Sequence, residues 1–295
     1  MTSYDDRPWL KKYDAEVPKS LEPYPDITVH SFLEEAAKQN PDSVALISSA
    51  HVPVIGRIAS TLTYAELDRL SGSLAAALID MGLKTGDRVA LIMPNIAAFI
   101  ISYYAVLKAG GVVAATNPTY PAEKMQYQIN DCGAEIIITM SLYYNMVKEI
   151  QPKTKAKTVI VTNVKEYLPA VARILFTLAK EKKDGHRVEN LQPGDHWFQD
   201  VLARYAGKRA NRQVKSSDLA LFQYTGGTTG VSKAAMSTHR ALIANTLQMR
   251  AWLSGSGVPG NQEIFLGAIP MFHAFGMVAV LNFAISIGAK IVLVP

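Results

Sequence analysis

Residues 224–233, Tyr-Thr-Gly-Gly-Thr-Thr-Gly-Val-Ser-Lys, gather three glycines, four Ser or Thr hydroxyls and one lysine directly after the apolar run Leu219–Phe222. Glycine lacks a Cβ, so its backbone N–H can approach an anion closely and its φ can turn positive. Gly226, Gly227, Gly230 and Val231 would supply amides, Thr225, Thr228, Thr229 and Ser232 hydroxyls, and Lys233 a compact cation. That set can hold phosphate oxygens, and the same composition also suits a structural glycine turn. Spacing excludes two phosphate loops. Val231 and Ser232 separate Gly230 from Lys233, which breaks a Walker pattern, and the glycines run G-G-x-x-G rather than G-x-G-x-x-G. His273, in Pro-Met-Phe-His-Ala-Phe-Gly, reads on its own as a histidine packed beside Phe272 and Phe275. Cys132, the single cysteine, is expected as a small buried residue, and His239 as a first-turn helix residue.

These residues need elements to position them. Thr63–Gly82, Ile96–Gly111 and Pro121–Gly133 carry helical patterns closed by glycine, and Asp87–Pro94, Val112–Asn117 and Ala134–Thr139 are short, nearly continuous apolar runs. This β-α-β-α-β alternation predicts an α/β fold with parallel sheets covered on both faces. A helix at 30–40 and a short strand at 43–48 precede it. Asp218–Tyr224 is a strand running into the glycine loop, with a short strand at 234–236 and a helix start at Ser237 or Thr238 beyond it. A strand at 263–269, the His273 loop, a helix at 277–288 and a strand at 289–295 follow. The expected regions are an extended arm (1–27), a first α/β region (28–165), a basic amphipathic insert and linker (166–216) and the glycine-loop α/β region (217–295).

Composition narrows the class. The N-terminus carries Asp5 and Asp6 where a secretory signal needs basic residues, and no run reaches the ~18 apolar residues of a membrane span. Ile96–Leu107 is therefore expected as a buried helix, with Tyr103 and Tyr104 structural. A soluble cytoplasmic protein is the expectation. Between Gln151 and Ser216 there are 14 Lys and Arg against 6 Asp and Glu, a local +8 within a net +5. Val171, Ile174, Leu175 and Leu178 fall on one helical face within Leu168–Lys183, beside Arg173, Lys180, Lys182 and Lys183. Such a helix either packs its apolar face on the core, the reading we favour here, or lies on an anionic membrane surface. No base-stacking aromatic pattern accompanies the charge, which argues against nucleic acid.

The loop and several other segments resemble the adenylate-forming (AMP-binding) superfamily of acyl-CoA synthetases, luciferases and peptide-synthetase adenylation domains. Residues 224–233 resemble its phosphate loop. Thr63–Leu67, Gly86–Asn95, Lys108–Pro121 and Ile269–Met277 resemble further segments in its order. The N-terminal Arg7–Pro18, Asn117–Pro121 and the 168–183 insert are similar to the bacterial long-chain fatty-acid CoA ligases. The resemblance implies the large N-terminal domain of such an enzyme, incomplete, with layered (β/α) subdomains. It implies fatty acid, ATP and coenzyme A as substrates, Mg²⁺ as cofactor, and a homodimer or membrane contact as open associations. Tyr224 to Lys233 would hold ATP phosphates, Thr228 or Thr229 would touch Mg²⁺, and Lys233 and His273 would be catalytic. An aryl or medium-chain ligase, or a non-catalytic binding protein on the same fold, is the alternative. Ser232 stands where the family has proline and Ala234 where it has glycine. The family's adenine motif, ribose-binding aspartate, hinge and C-terminal domain are expected beyond Pro295, so this chain alone is expected to be a poor catalyst.

Overall fold

The computed structural model describes residues 7–52, 54–225, 232–253 and 262–295. Along the chain run α1 (His30–Gln39), β1 (Val44–Val52), β2 (Gly56–Thr63), α2 (Tyr64–Asp80), β3 (Arg88–Ile92), α3 (Ala97–Lys108), β4 (Val112–Ala115), α4 (Ala122–Cys132) and β5 (Ile136–Met140). Then follow α5 (Tyr144–Ile150), β6 (Thr158–Thr162), α6 (Ala170–Ala179), β7 (His196–Trp197), α7 (Phe198–Arg204), β8 (Leu219–Thr225), β9 (Lys233–Thr238), α8 (His239–Leu253), β10 (Ile264–Gly267), α9 (Phe283–Ser286) and β11 (Lys290–Leu293). The strands form two sheets, in the orders β10-β11-β1-β2 and β7-β6-β5-β3-β4-β8-β9. Neighbours are parallel except β1–β2 and β8–β9, so each sheet ends in one antiparallel edge strand.

Local chemistry explains the element ends. Thr63 and Glu66 cap α2 reciprocally: Glu66 N–H donates to Thr63 Oγ1 (3.2 Å) and Thr63 N–H to Glu66 Oε2 (2.8 Å). Gly133 closes α4 at φ 63°, where an L side chain would be strained. Thr238 Oγ1 accepts from Ala241 N–H at the start of α8, one of the two caps predicted.

All twelve residues of α3 are buried. The helix lies between the two sheets, in one core that takes Leu46 and Ile291 from the first and Val89, Leu91, Val113 and Ile138 from the second. The alternate residues Ala90, Ile92, Ala114 and Ile137 point the other way, into a second core closed by α4 and α5. The period of two thus splits each central strand between two hydrophobic layers. Tyr103 and Tyr104 are fully buried in α3, with their rings 5.2 Å apart.

Several elements differ from the sequence expectation. β2 has no counterpart in it, because its residues alternate between part-buried and exposed without a continuous apolar run. β7 and α7 lie inside the stretch expected as insert and linker (166–216), and β6, within the first α/β region, has no counterpart in the expectation although Val159–Thr162 are buried and extend the large sheet. The elements of the glycine-loop region join both sheets, β8 pairing with β4 and β11 with β1. The helix expected at 277–288 is π-helical over Gly276–Asn282 before α9. Arm residues lie on α8, through the edge-to-face pair Tyr13–Trp252 (4.9 Å) and a Gln248-to-Tyr24 hydrogen bond (2.8 Å).

The favoured placement of the insert helix is overturned. Ala172 is the buried residue of α6, and Phe176 meets His186 edge-to-face at 5.4 Å, whereas Val171, Ile174, Leu175 and Leu178 are all exposed. The shallow inner side accommodates small and aromatic residues at i and i+4, and leaves the broader apolar face outward.

Two buried polar clusters set conditions on stability. Lys108, at the end of α3, reaches Asp68 Oδ1 of α2 at 2.5 Å and Ser71 Oγ at 2.9 Å, while Arg209 meets the other Asp68 oxygen at 3.2 Å. Burial pushes the Lys108 pKa down, and Asp68 works against that shift. Lys108→Ala removes one partner of a buried pair and should destabilise by about 3 kcal/mol in chemical denaturation; a loss near zero would show that Arg209 alone compensates Asp68. His239 accepts the Val29 N–H at Nδ1 (3.1 Å) and lies 5.8 Å from His30. Burial lowers their pKa values from 6.5 to about 4 for His239 and about 3 for His30. Both are neutral when folded and protonate on unfolding, so their contribution is complete above pH 6.5 and is lost as pH falls toward 4 and 3. Each histidine should add a slope that approaches about 1.4 kcal/mol per pH unit about one unit below its unfolded pKa. Unfolding midpoints measured for the parent and His30→Gln between neutral pH and pH 5 should differ by one such slope.

Candidate active site

Parallel strands converge with their carboxyl ends on one side of a sheet, and loops leaving those ends meet there. Here the contributing ends are those of β3, β8 and β10. β8 delivers Tyr224 and Thr225. Tyr224 is buried, and its hydroxyl donates to Asp131 Oδ2 (2.7 Å) and contacts Gln128 O (3.0 Å), both on α4; burial, then the Asp131 contact, raises its pKa. The strand is therefore anchored two residues before the glycines.

Gly226, Gly227, Thr228, Thr229, Gly230 and Val231 lie outside the described residues, but the residues on either side of them are in place. Thr225 pairs antiparallel with Lys233, Tyr224 with Ala234 and Gln223 with Ala235. The segment is thus the connection of a β-hairpin, and Lys233 begins its return strand, one residue before the short strand expected at 234–236. Thr225 Oγ1 donates to Lys233 O at 3.4 Å, and both residues are exposed. Ser232 is buried, with its carbonyl accepting from the Tyr127 hydroxyl (3.2 Å). Ala234 sits in the extended strand β9 against the second core and is not among the positive-φ residues. Its methyl group therefore requires no left-handed backbone.

β10 leads through Gly267 into the His273 loop. His273 is exposed, with its ring tilted against Phe272 at 5.0 Å; Phe275 is 65% exposed and does not enclose it. The ring thus packs beside Phe272, as the plainer reading has it, while Phe275 leaves it uncovered. The loop is tightened by His273 N–H to Pro270 O (3.1 Å) and Met277 N–H to His273 O (2.9 Å). Gly276 lies so close beneath it that an added Cβ would stand 2.2 Å from Pro270 O.

Two buried amides that sequence inspection did not single out fasten this loop. Asn95, just past β3, donates through Nδ2 to Gly267 O and Ile269 O (both 2.9 Å) and accepts from Met271 N–H at Oδ1 (2.8 Å). Gln223, two residues before Thr225 on β8, donates through Nε2 to Phe272 O at 2.8 Å. Its Oε1 is buried and has no hydrogen-bond partner among the described residues. A glutamine inside the run Leu219–Thr225 was the available signal, because a polar side chain in a buried strand needs a partner. The phosphate-type hairpin and the histidine loop are consequently joined by one side chain.

The residues set aside fit plain roles. Asn117 Oδ1 accepts from the Thr119 backbone N–H and hydroxyl, each at 2.9 Å, which makes a turn. Lys124 lies 3.7 Å over the Tyr120 ring. Cys132 is buried, with its pKa raised by burial, and is unsuited to thiolate chemistry. Among the described residues no helix is long and apolar enough to cross a membrane, and no group of three or more His, Cys, Asp or Glu could hold a metal ion.

The site thus combines a glycine-rich hairpin carrying hydroxyls and a lysine with an exposed histidine on an adjoining loop. A family model described as AMP-binding enzyme matches residues 33–295. The chain is 34% identical over 98% of its length to a long-chain-fatty-acid–CoA ligase of Bacillus subtilis (strain 168), of which it spans 50%. Two crystal structures share the fold: a long-chain-fatty-acid-CoA ligase from Archaeoglobus fulgidus (TM-score 0.71, 24% identity, 96% of this chain and 49% of that one), and an anthranilate CoA ligase in complex with anthranoyl-AMP (TM-score 0.71, 20% identity, 92% and 45%). About half the length of each is spanned, from its amino-terminal side of the family's motif order. On the match over residues 33–295, the chain belongs to the AMP-binding enzyme family.

Proposed function

We propose that this chain is the N-terminal portion of a ligase that activates a long-chain fatty acid with ATP and transfers it to coenzyme A, working in the cytoplasm at the inner face of the membrane. The observation that carries the reading is the joining of the Thr225–Lys233 hairpin to the His273 loop through Gln223. The similarity to the B. subtilis ligase supports the choice of acid.

In the first step a carboxylate oxygen attacks the α-phosphorus of ATP, forming an acyl–phosphate bond as the bond to pyrophosphate breaks. In the second, the thiol sulfur of coenzyme A attacks the acyl carbonyl carbon and AMP leaves. An anionic nucleophile approaching a polyanion meets strong repulsion, so positioned positive charge and N–H donors lower the barrier most. Hairpin amides from Gly226 to Val231, with the hydroxyls of Thr225, Thr228, Thr229 and Ser232, would hold the β- and γ-phosphates. Lys233 would neutralise the charge that develops on the departing pyrophosphate. His273, exposed beside this hairpin, would hydrogen-bond the carboxylate or an α-phosphate oxygen and orient the attack. Magnesium would supply further charge neutralisation, held by Thr228 or Thr229 and by the nucleotide's own phosphates, an arrangement that suits an ion seldom caged by protein alone.

Fatty-acid-dependent AMP formation tests the assignment. Lys233→Ala should slow it by about tenfold or more, on the scale of a lost transition-state contact, and equal rates in parent and variant would end the role given to Lys233. Gly276→Ala probes the histidine loop independently. The added methyl group must displace the Pro270 backbone, so we expect a stability loss of about 1–3 kcal/mol in thermal melting together with slower AMP formation. A variant with parental melting and parental rate would show that the loop's closure is not needed.

A further inference from the structure

Helix α6 presents its apolar face outward. Val171 is 48% exposed, Ile174 59%, Leu175 42% and Leu178 81%, and these four residues occupy one side of the helix at the i, i+3, i+4, i+7 positions. Contiguous exposed aliphatic residues of this kind mark an interaction surface rather than ordinary surface scatter. Helix α6 is not free to turn them inward, because Ala172 is buried and Phe176 is held against His186 on the opposite side. Charge accompanies the patch. Arg173, Lys180, Lys182 and Lys183 are exposed and take part in none of the salt bridges found among the described residues, against one exposed acid, Asp184, that is likewise in none, while Glu181 is neutralised by Lys165 at 2.6 Å. The surface therefore offers aliphatic side chains together with an excess of cations.

From this combination we propose that α6 is an interfacial helix that seats the protein on an anionic lipid bilayer, with Val171, Ile174, Leu175 and Leu178 entering the acyl boundary and Lys180, Lys182 and Lys183 meeting headgroup phosphates. An anionic membrane complements both features at once. A second copy of the chain would set the same four cations against each other with a single exposed acid, Asp184, between them. Strand β1 passes beside α6, and its hairpin with β2 ends in two more exposed aliphatic residues, Val54 and Ile55. The proposal names the lipid partner of the reading above and rests on it only for its purpose, since a long-chain acid partitions into the same bilayer.

Co-sedimentation of the 295-residue chain with vesicles provides the test. The chain should bind vesicles of phosphatidylcholine containing phosphatidylglycerol, bind pure phosphatidylcholine weakly, and release as salt is raised. Replacing Lys180, Lys182 and Lys183 together by Gln should weaken binding by at least about tenfold. The double change Ile174→Gln and Leu178→Gln should weaken binding to a similar extent without lowering the melting temperature, because both positions are exposed. Absence of binding by the parent, or equal binding by either variant, overturns the proposal. So does a parental dimer in gel filtration that Leu178→Gln splits, which would give the face to a second copy. No nucleotide or acid enters this assay, so its failure is separate from any failure of the Lys233 assignment.

Discussion

A helix apolar on every side has to be covered on every side, and α3 imposes that requirement on the whole molecule. With all twelve residues buried, it needs a sheet above, a sheet below and helices at its flanks. The chain meets the need by returning from its distant end: β11 inserts beside β1, and β8 beside β4. Its one strongly polar residue, Lys108, is brought in already paired with Asp68 and Ser71 of α2. A lysine buried without those partners would lose its charge or destabilise the layer.

The same constraint places the site. Because α3 follows the end of β3, Asn95 is left at the turn between them, close to the chain that returns in β10. Because β8 must lie against β4 to close the layer, Gln223 comes within reach of the His273 loop. The carboxyl ends of strands far apart in sequence therefore share one edge, and a buried amide from each sets the loop that carries the histidine. Packing decides where the polar groups go, and the polar groups then fix the loop.

Much of the layer was legible from the chain itself. The apolar runs at 87–94, 112–117 and 134–139 and the glycine-closed helices between them correspond to β3, β4, β5 and their helices, because buried parallel strands need continuous apolar character. β2 was not legible, since an edge strand half open to water lacks that character. β6 was obscured by the lysines and arginines around it, although Thr158–Thr162 is β-branched at every position. The outward face of α6 was beyond reach for another reason: its periodicity shows that one side is apolar, but only the neighbours decide which side turns inward. Within the site, Lys233 was singled out by its place after the glycines and His273 by the family resemblance, whereas Asn95, Gln223 and Gly276 act through geometry that appears only once the strands are assembled.

Gln223 carries a consequence for the register of β8. Side chains alternate along a strand, so a slip of one residue would turn every one of them to the opposite face. Gln223 would then leave the Phe272 carbonyl, and Tyr224 would leave Asp131, in the same movement. Two adjacent residues facing opposite layers thus pin the strand from both sides, in the manner of a dowel through two boards. The origin of the hairpin at Thr225 therefore cannot creep along the sheet.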